Sequence, residues 1–123
     1  KIVRKFNPNR AVIGGKRIVL VDDSIVRGST MKRLVFRMRE FGAKEIHLRI
    51  SSPPYIDICY LGINTPKRKE LIAYKQGSME GVREYLGVDS LVYLSKQDML
   101  SNPHLAGKSF CTYCFDGEMR IRR

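Results

Sequence analysis

The chain has 123 residues, 43% of them hydrophobic, and carries 23 Lys and Arg against 12 Asp and Glu, a formal net charge of +11. That length allows a single domain with a real core. No stretch nears the ~18 consecutive apolar residues of a membrane span, no signal-peptide pattern is visible and no low-complexity tract or internal repeat interrupts the chain. Three cysteines make an odd count that needs no disulfide framework, so a reducing, cytoplasmic setting is expected.

The charge is lopsided. Residues 1–50 hold thirteen Lys and Arg against four Asp and Glu, and residues 51–123 hold ten against eight. A basic excess commonly marks nucleic-acid binding. Here the aromatics do not interleave with the basic residues, and no RNA- or DNA-binding motif appears. An anionic small substrate accounts for the same skew.

Taken in order, Lys1–Arg10 is basic, broken by Pro8, and reads as loop. Gly14-Gly15 marks a turn. Arg17–Val21 is an apolar run that predicts a buried central strand. Thr30–Phe41 predicts a helix with Met31, Leu34, Val35, Met38 and Phe41 on one face and Gly42 as its stop. Lys44–Ile50 alternates Ile46, Leu48 and Ile50 with His47 and Arg49, the period of a strand. Strand, helix and strand form one βαβ unit, whose crossover is expected to be right-handed.

Ser51–Pro54 must be loop, because two prolines cannot continue a central strand. Thr65-Pro66 reads as the cap and first residue of a helix through about Tyr74. A second helix spans Ser78 to Leu86, with Met79, Val82, Tyr85 and Leu86 on one face and Gly87 after it. Ser90–Leu94 is a short strand. Ser95 caps another short helix, with Asp98 at its third position. Asn102–Lys108 is loop, and Arg120–Arg123 is expected to fray. His47 and His104 read as structural or solvated, and Tyr55, Tyr60, Tyr74, Tyr85 and Tyr93 as packing residues. The alternation of strands and helices places the chain in the α/β class with a parallel sheet.

The informative stretch is Asp22-Asp23-Ser24-Ile25-Val26-Arg27-Gly28-Ser29-Thr30, between the first strand and its helix. In an open α/β sheet, ligands bind at the carboxyl ends of the strands. The free N–H groups of a helix N-terminus attract phosphate. Gly28 lets the backbone approach an anion closely, and Ser24, Ser29 and Thr30 add donors. Carboxylates repel phosphate but accept hydrogen bonds from hydroxyls and can bind Mg²⁺. A ligand with a phosphate at one end and a diol in its middle suits this arrangement, and a ribose 5-phosphate is such a ligand.

Val21-Asp22-Asp23-Ser24-Ile25-Val26-Arg27-Gly28-Ser29-Thr30 resembles the phosphoribosyl pyrophosphate (PRPP) signature of the type I phosphoribosyltransferases. Its extension from Gly15-Lys16-Arg17 is similar to the version carried by the amidophosphoribosyltransferases among them. The likeness continues through Gly42-Ala43-Lys44-Glu45, Ile50-Ser51-Ser52-Pro53-Pro54, Gly62-Ile63-Asn64-Thr65-Pro66, Glu70-Leu71-Ile72-Ala73, Ser90-Leu91-Val92-Tyr93-Leu94-Ser95 and Cys111-Thr112-Tyr113-Cys114-Phe115-Asp116-Gly117-Glu118.

The resemblance implies a Rossmann-like parallel sheet, here the C-terminal portion of a type I phosphoribosyltransferase domain occupying residues 1–123. Residues 1–10, with Arg4, Lys5, Asn7 and Arg10, would end the flexible PRPP loop. Residues 17–50 would be the strand, PRPP loop, helix and second strand, and 51–123 the C-terminal helices and a cysteine-bearing tail. The family's N-terminal glutaminase domain has no counterpart here. Asp22 and Asp23 would hold the ribose hydroxyls near Mg²⁺ and serve catalysis, and Ser24 to Thr30 would cradle the 5′-phosphate. The implied reaction transfers ammonia from glutamine to C1 of PRPP, giving phosphoribosylamine, pyrophosphate and glutamate in purine synthesis. Purine nucleotides as feedback ligands, a homo-oligomer, and neither nucleic acid nor membrane as partner complete the expectation.

Cys111-x-x-Cys114 alone is compatible with zinc, redox chemistry or iron–sulfur ligation. Some amidophosphoribosyltransferases carry a four-iron, four-sulfur (4Fe-4S) cluster, and Cys59, Cys111 and Cys114 match three of its ligands, with the fourth outside this chain. Two other readings compete for the whole chain. One is a regulatory phosphoribosyltransferase-like domain that binds PRPP or nucleotide without catalysis, against which the intact acidic pair argues. The other is a phosphoacceptor receiver domain, which would need a further aspartate where Ser51-Ser52-Pro53-Pro54 stands.

Overall fold

A computed structural model of the chain describes residues 10–61 and 67–118. The expectations for residues 1–9, for a helix beginning at Thr65-Pro66 and for the Arg120–Arg123 tail lie outside the described residues. Three parallel strands, β1 (Arg17–Asp22), β2 (Glu45–Ile50) and β3 (Ser90–Tyr93), form one sheet in the order β1-β2-β3. Leu20 lies beside Leu48, and Leu48 beside Leu91. The helices are α1 (Arg10–Ile13), α2 (Ser29–Glu40), α3 (Ile72–Gln76), α4 (Met79–Leu86), α5 (Lys96–Leu100) and α6 (Tyr113–Asp116).

The alternation of β2 decides the layering. Ile46, Leu48 and Ile50 are buried and join Met31, Val35 and Met38 of α2 and Val82 and Leu86 of α4 in one core. Each such side chain, fully buried, contributes about 1.5–3 kcal/mol. The opposite sheet face carries Val19, Val21 and Val92, all half or more exposed. On that face His47 sits between Ser90, 2.8 Å from Nδ1, and Glu45, 3.0 Å from Nε2, in keeping with a structural histidine. Asp89 ties the layers together. Its carboxylate accepts the Ile46 N–H at 2.7 Å and an Arg39 N–H at 2.6 Å, which lowers its pKa, the backbone bond most of all.

Helix boundaries follow their capping chemistry. Ser78 Oγ accepts the Gly81 N–H at the start of α4, and Ser95 Oγ accepts the Asp98 N–H at the start of α5, each at 3.0 Å. Gly87 closes α4 in the left-handed conformation.

Three expectations need correction. Among the described residues β1, expected as a buried central strand, stands at the sheet edge: it pairs only with β2, and only its Ile18 and Leu20 face is covered. An apolar run signals burial but does not say on how many sides. The helix expected through Tyr74 is broken. A 3₁₀ turn covers Arg68–Glu70, Leu71 is extended (φ −65°, ψ 130°), and α3 starts at Ile72. The break lets the adjacent Leu71 and Ile72 both bury completely, and it frees the Ile72 N–H to donate to Val26 O at 2.8 Å. Finally, the loop Asn102–Lys108 contains a 3₁₀ turn, Pro103–Leu105, capped by Asn102. The four-residue α1 and α6 are too short to show a period in sequence.

Candidate functional site

β1 ends at Asp22, and α2 begins at Ser29. The six residues between them turn the chain over the carboxyl edge of the sheet. Ile25 is 4% exposed and anchors this turn in the core, so the neighbouring backbone is held fixed. Gly28 stands at the N-cap of α2 at φ 75° and, without a side chain, gives the first N–H groups of the helix no capping bond. Free N–H groups at a helix start, with hydroxyls such as those of Ser29 and Thr30 beside them, are donors of the kind that bind anions. The first turn of α2 has no acidic residue, while Arg37 and Arg39 lie in its last turn. The helix dipole therefore favours an anion at the open end.

A cavity of about 320 Å³ opens here. Asp22, Ser24, Ile25, Val26, Arg27, Gly28, Ser29 and Thr30 all line it. Asp22 Oδ1 accepts the Asp23 N–H at 2.9 Å, leaving its other oxygen for a ligand. Asp23 is not among the lining residues. It accepts the Ser24 hydroxyl at 3.2 Å. Arg27 donates from Nε to Glu70 at 2.8 Å, and both groups are well exposed. Such a pair is worth little in stability, but it fixes where the cation points. The arginine's hydrogen bond holds the Glu70 carboxyl below its usual range. Eight of the nine residues named from the sequence thus share one cavity, and the ninth sits behind Ser24.

Tyr55, read from sequence as packing, stands beside this loop: Ser24 and Asp23 lie near enough to its hydroxyl to act on it. Burial raises the phenol pKa most, the nearby Cys114 thiol adds to this, and Ser24 opposes it. The Tyr55 ring packs against Phe115 with centroids 5.1 Å apart. Glu70 and Ile72, which hold the loop from below, were likewise not singled out. No local pattern signals them, because the break at Leu71 that places them depends on a contact with Val26.

A second cavity, of about 260 Å³, is lined by Cys59, Cys111 and Cys114 with Tyr55, Tyr60, Leu61, Tyr113 and Phe115. The chain thus brings the three cysteines to one wall, although more than fifty positions separate Cys59 from the pair. Backbone and side chains hold them there. Ile56 and Asp57 both donate their N–H to Cys114 O, at 2.9 and 3.3 Å. Asp57 accepts the Tyr113 hydroxyl at 3.3 Å. Asp116 accepts from Lys96 Nζ and from Thr112 Oγ1, each at 2.7 Å. These bonds, Lys96 first, pull its carboxyl far below the usual range. Among the described residues, no three His, Cys, Asp or Glu side chains gather closely enough to hold a single metal ion.

No protein-family model matches the chain. Among curated proteins, it is 46% identical over 118 residues to amidophosphoribosyltransferase 2, chloroplastic, of Arabidopsis thaliana, covering 96% of this chain and 21% of that protein. It is 47% identical over 117 residues to amidophosphoribosyltransferase of Synechococcus elongatus, covering 95% of this chain and 24% of that protein. Among solved structures, the glutamine PRPP amidotransferase from B. subtilis complexed with ADP and GMP superposes with a TM-score of 0.75 at 43% identity, over 89% of this chain and 25% of that one. The chain therefore spans about a fifth to a quarter of the length of the relatives it matches. Its homologues over that span are amidophosphoribosyltransferases. The α/β fold with a parallel sheet matches that of the amidotransferase. No described helix is long and apolar enough to cross a membrane.

Proposed function

We propose that this chain is the PRPP-binding part of an amidophosphoribosyltransferase, working with a glutaminase portion outside residues 1–123. The observation that carries the reading is the pairing of an acidic strand end with an uncapped helix N-terminus across one cavity. The N–H groups of α2 with Ser29 and Thr30 bind the 5′-phosphate. Asp22, and Asp23 behind it, accept hydrogen bonds from the ribose hydroxyls.

Loss of pyrophosphate from C1 builds positive charge on the ring. Carboxylates fixed beside the ribose stabilise that charge as it develops. Ammonia then attacks C1, and water, the competing nucleophile, has to be kept out. The free oxygens of Asp22 and Asp23 suit a hard cation. Asp22 and Asp23 would hold Mg²⁺ there, and the ion would supply charge to offset that of the pyrophosphate. Glutamine as ammonia source, purine nucleotides as feedback ligands and a homo-oligomeric assembly belong to the same reading. The nucleotides complexed with the B. subtilis amidotransferase support the feedback role.

Cys59, Cys111 and Cys114 are assigned to a 4Fe-4S cluster whose fourth ligand lies outside this chain. Their sharing of one cavity wall supports this. Cysteine thiolates are the ligands such clusters use, and these three would supply three of them. Bound there, the cluster would tie the Cys59 loop to the C-terminal segment.

The test is PRPP binding, followed calorimetrically with Mg²⁺ present, in the polypeptide that carries this sequence together with its glutaminase portion. The same protein bearing Asp22→Asn and Asp23→Asn should lose turnover by about 10²–10³-fold, as for other groups that act on developing charge. Near-normal turnover in a folded double variant would refute the assignment.

A further inference from the structure

Among the described residues that line the cavity at the start of α2, Arg27 is the only basic one. Its Nε–H donates to Glu70 Oε2 at 2.8 Å. A guanidinium carries five N–H donors in one plane. This bond uses one, and the four on the two Nη atoms have no hydrogen-bond partner among the described residues. Glu70 itself is not among the lining residues, so it holds the arginine from outside the cavity. We infer that Glu70 is a positioning residue for phosphate binding: by holding Nε it keeps the Nη groups of Arg27 at the cavity, as donors to the 5′-phosphate. This rests on the PRPP reading above.

The surroundings show why Glu70 can do this. The ion pair is flanked by two further contacts between the same segments. On one side the Ile72 N–H donates to Val26 O at 2.8 Å. On the other, Gly28 lies against the Ile72 side chain. Leu71 and Ile72 are buried. The turn that carries Glu70 is closed by its own N–H to Lys67 O at 2.7 Å and by the Leu71 N–H to Arg68 O at 3.0 Å. Both backbones are therefore fixed before the two side chains meet. An unheld arginine loses its rotamer freedom when it takes up a ligand, and that loss weakens binding. With Nε held, the ordering is complete before the ligand arrives. Charge alone predicts the opposite effect. A carboxylate near a phosphate repels it, so a Glu70 that acted only through its charge would hinder binding, and its removal would tighten it.

The experiment uses Glu70→Ala and Glu70→Gln in the complete polypeptide. Glutamine removes the charge but keeps an oxygen that accepts from Nε, whereas alanine removes both. Positioning predicts that Glu70→Ala raises KM for PRPP about two- to tenfold, the effect of ordering one long side chain on binding, with kcat little changed. The calorimetric Kd for ribose 5-phosphate should rise by the same factor, and Glu70→Gln should recover most of the loss. Once Arg27→Ala is present, Glu70→Ala should add nothing, whereas a merely structural role in the Arg68–Glu70 turn would persist there. Any of five results would overturn the inference while leaving the PRPP reading intact: a KM in Glu70→Ala that is unchanged or lower, a loss confined to kcat, a Kd for ribose 5-phosphate that does not move, a Glu70→Gln variant as impaired as Glu70→Ala, or additive losses with Arg27→Ala. Absence of PRPP binding and PRPP turnover in the unaltered polypeptide would remove the reading and the inference together.

Discussion

The sharpest structural test of the loop between β1 and α2 is Gly28→Ala. Gly28 has φ 75°, and an added Cβ would stand 2.3 Å from Ile72 Cδ1, 3.3 Å from Ile72 Cγ1 and 3.5 Å from Leu86 Cδ2. Two costs follow. The left-handed conformation costs a non-glycine residue about 1–2 kcal/mol. The overlap falls on the end of the Ile72 side chain, which is 1% exposed, and costs about 1–3 kcal/mol more. Together they are a large part of the ~5–15 kcal/mol that holds a domain folded. Gly15→Ala separates the terms: its φ is 68°, but nothing lies within 4 Å, so only the conformational cost applies. Ile72→Val deletes the offending Cδ1 at its own cost of about 0.5–1.5 kcal/mol. In the double variant the overlap term vanishes, and the two losses should fall short of their sum by about 1–3 kcal/mol. Urea midpoints for the five proteins decide the matter. A Gly28→Ala variant no less stable than Gly15→Ala, or strict additivity with Ile72→Val, would show that the loop does not rest on Ile72 as described.

Other outcomes follow from the same structure. The Tyr93 hydroxyl is buried without a protein partner, and burial pushes its pKa up to about 12. Tyr93→Phe should therefore leave the urea midpoint unchanged or raise it, and a loss beyond ~1 kcal/mol would mean that the hydroxyl is bonded. Asp116 has a depressed pKa in the folded chain. Its contribution is therefore complete above the ordinary Asp value of about 3.9 and fades as pH falls below that value toward the folded one. Hydrogen exchange at Phe115 and Gly117 should accelerate across that acid window and lose the dependence in Asp116→Asn; flat protection would refute the role. Cys111 is exposed, while Cys114 is half-buried, its thiol pushed up mainly by burial with Cys59 adding to it. N-ethylmaleimide should label Cys111 first by peptide mapping, and equal rates would contradict this placement.

Much of the architecture was legible because it depends on local periodicity. The alternation in β2 and the face Met31, Val35, Met38 locate a strand and a helix whichever neighbours they meet. The caps Ser78 and Ser95 and the stops Gly42 and Gly87 are equally local. The exposure of Val19 and Val21 was not legible, because the one-sided cover of β1 is a property of the assembled sheet. The break at Leu71 was hidden for a similar reason. Its cause is a hydrogen bond to Val26, 46 positions earlier, and no window along the chain contains both partners. Of the candidate site, the residues on one loop could be read together. The contact of Tyr55 with Phe115 could not, since the two belong to distant segments.

The signature loop is therefore not a self-sufficient site. β1 and α2 fix its two ends, and Ile25 pins it from within, but its middle rests on later segments. Ile72 bonds to Val26 and fills the space over Gly28, and Glu70 holds Arg27. The Tyr55 ring, packed on Phe115 of α6, lies near Ser24. A phosphate cradle requires N–H groups fixed to within a fraction of an ångström, and a six-residue turn alone would lose that precision to its own backbone freedom. The stretch from Glu70 to Ala73 and the stretch from Cys111 to Asp116 thus serve the loop from outside it. That gives a physical reason for the likeness to the amidophosphoribosyltransferases to run on past the PRPP signature to Cys111–Glu118.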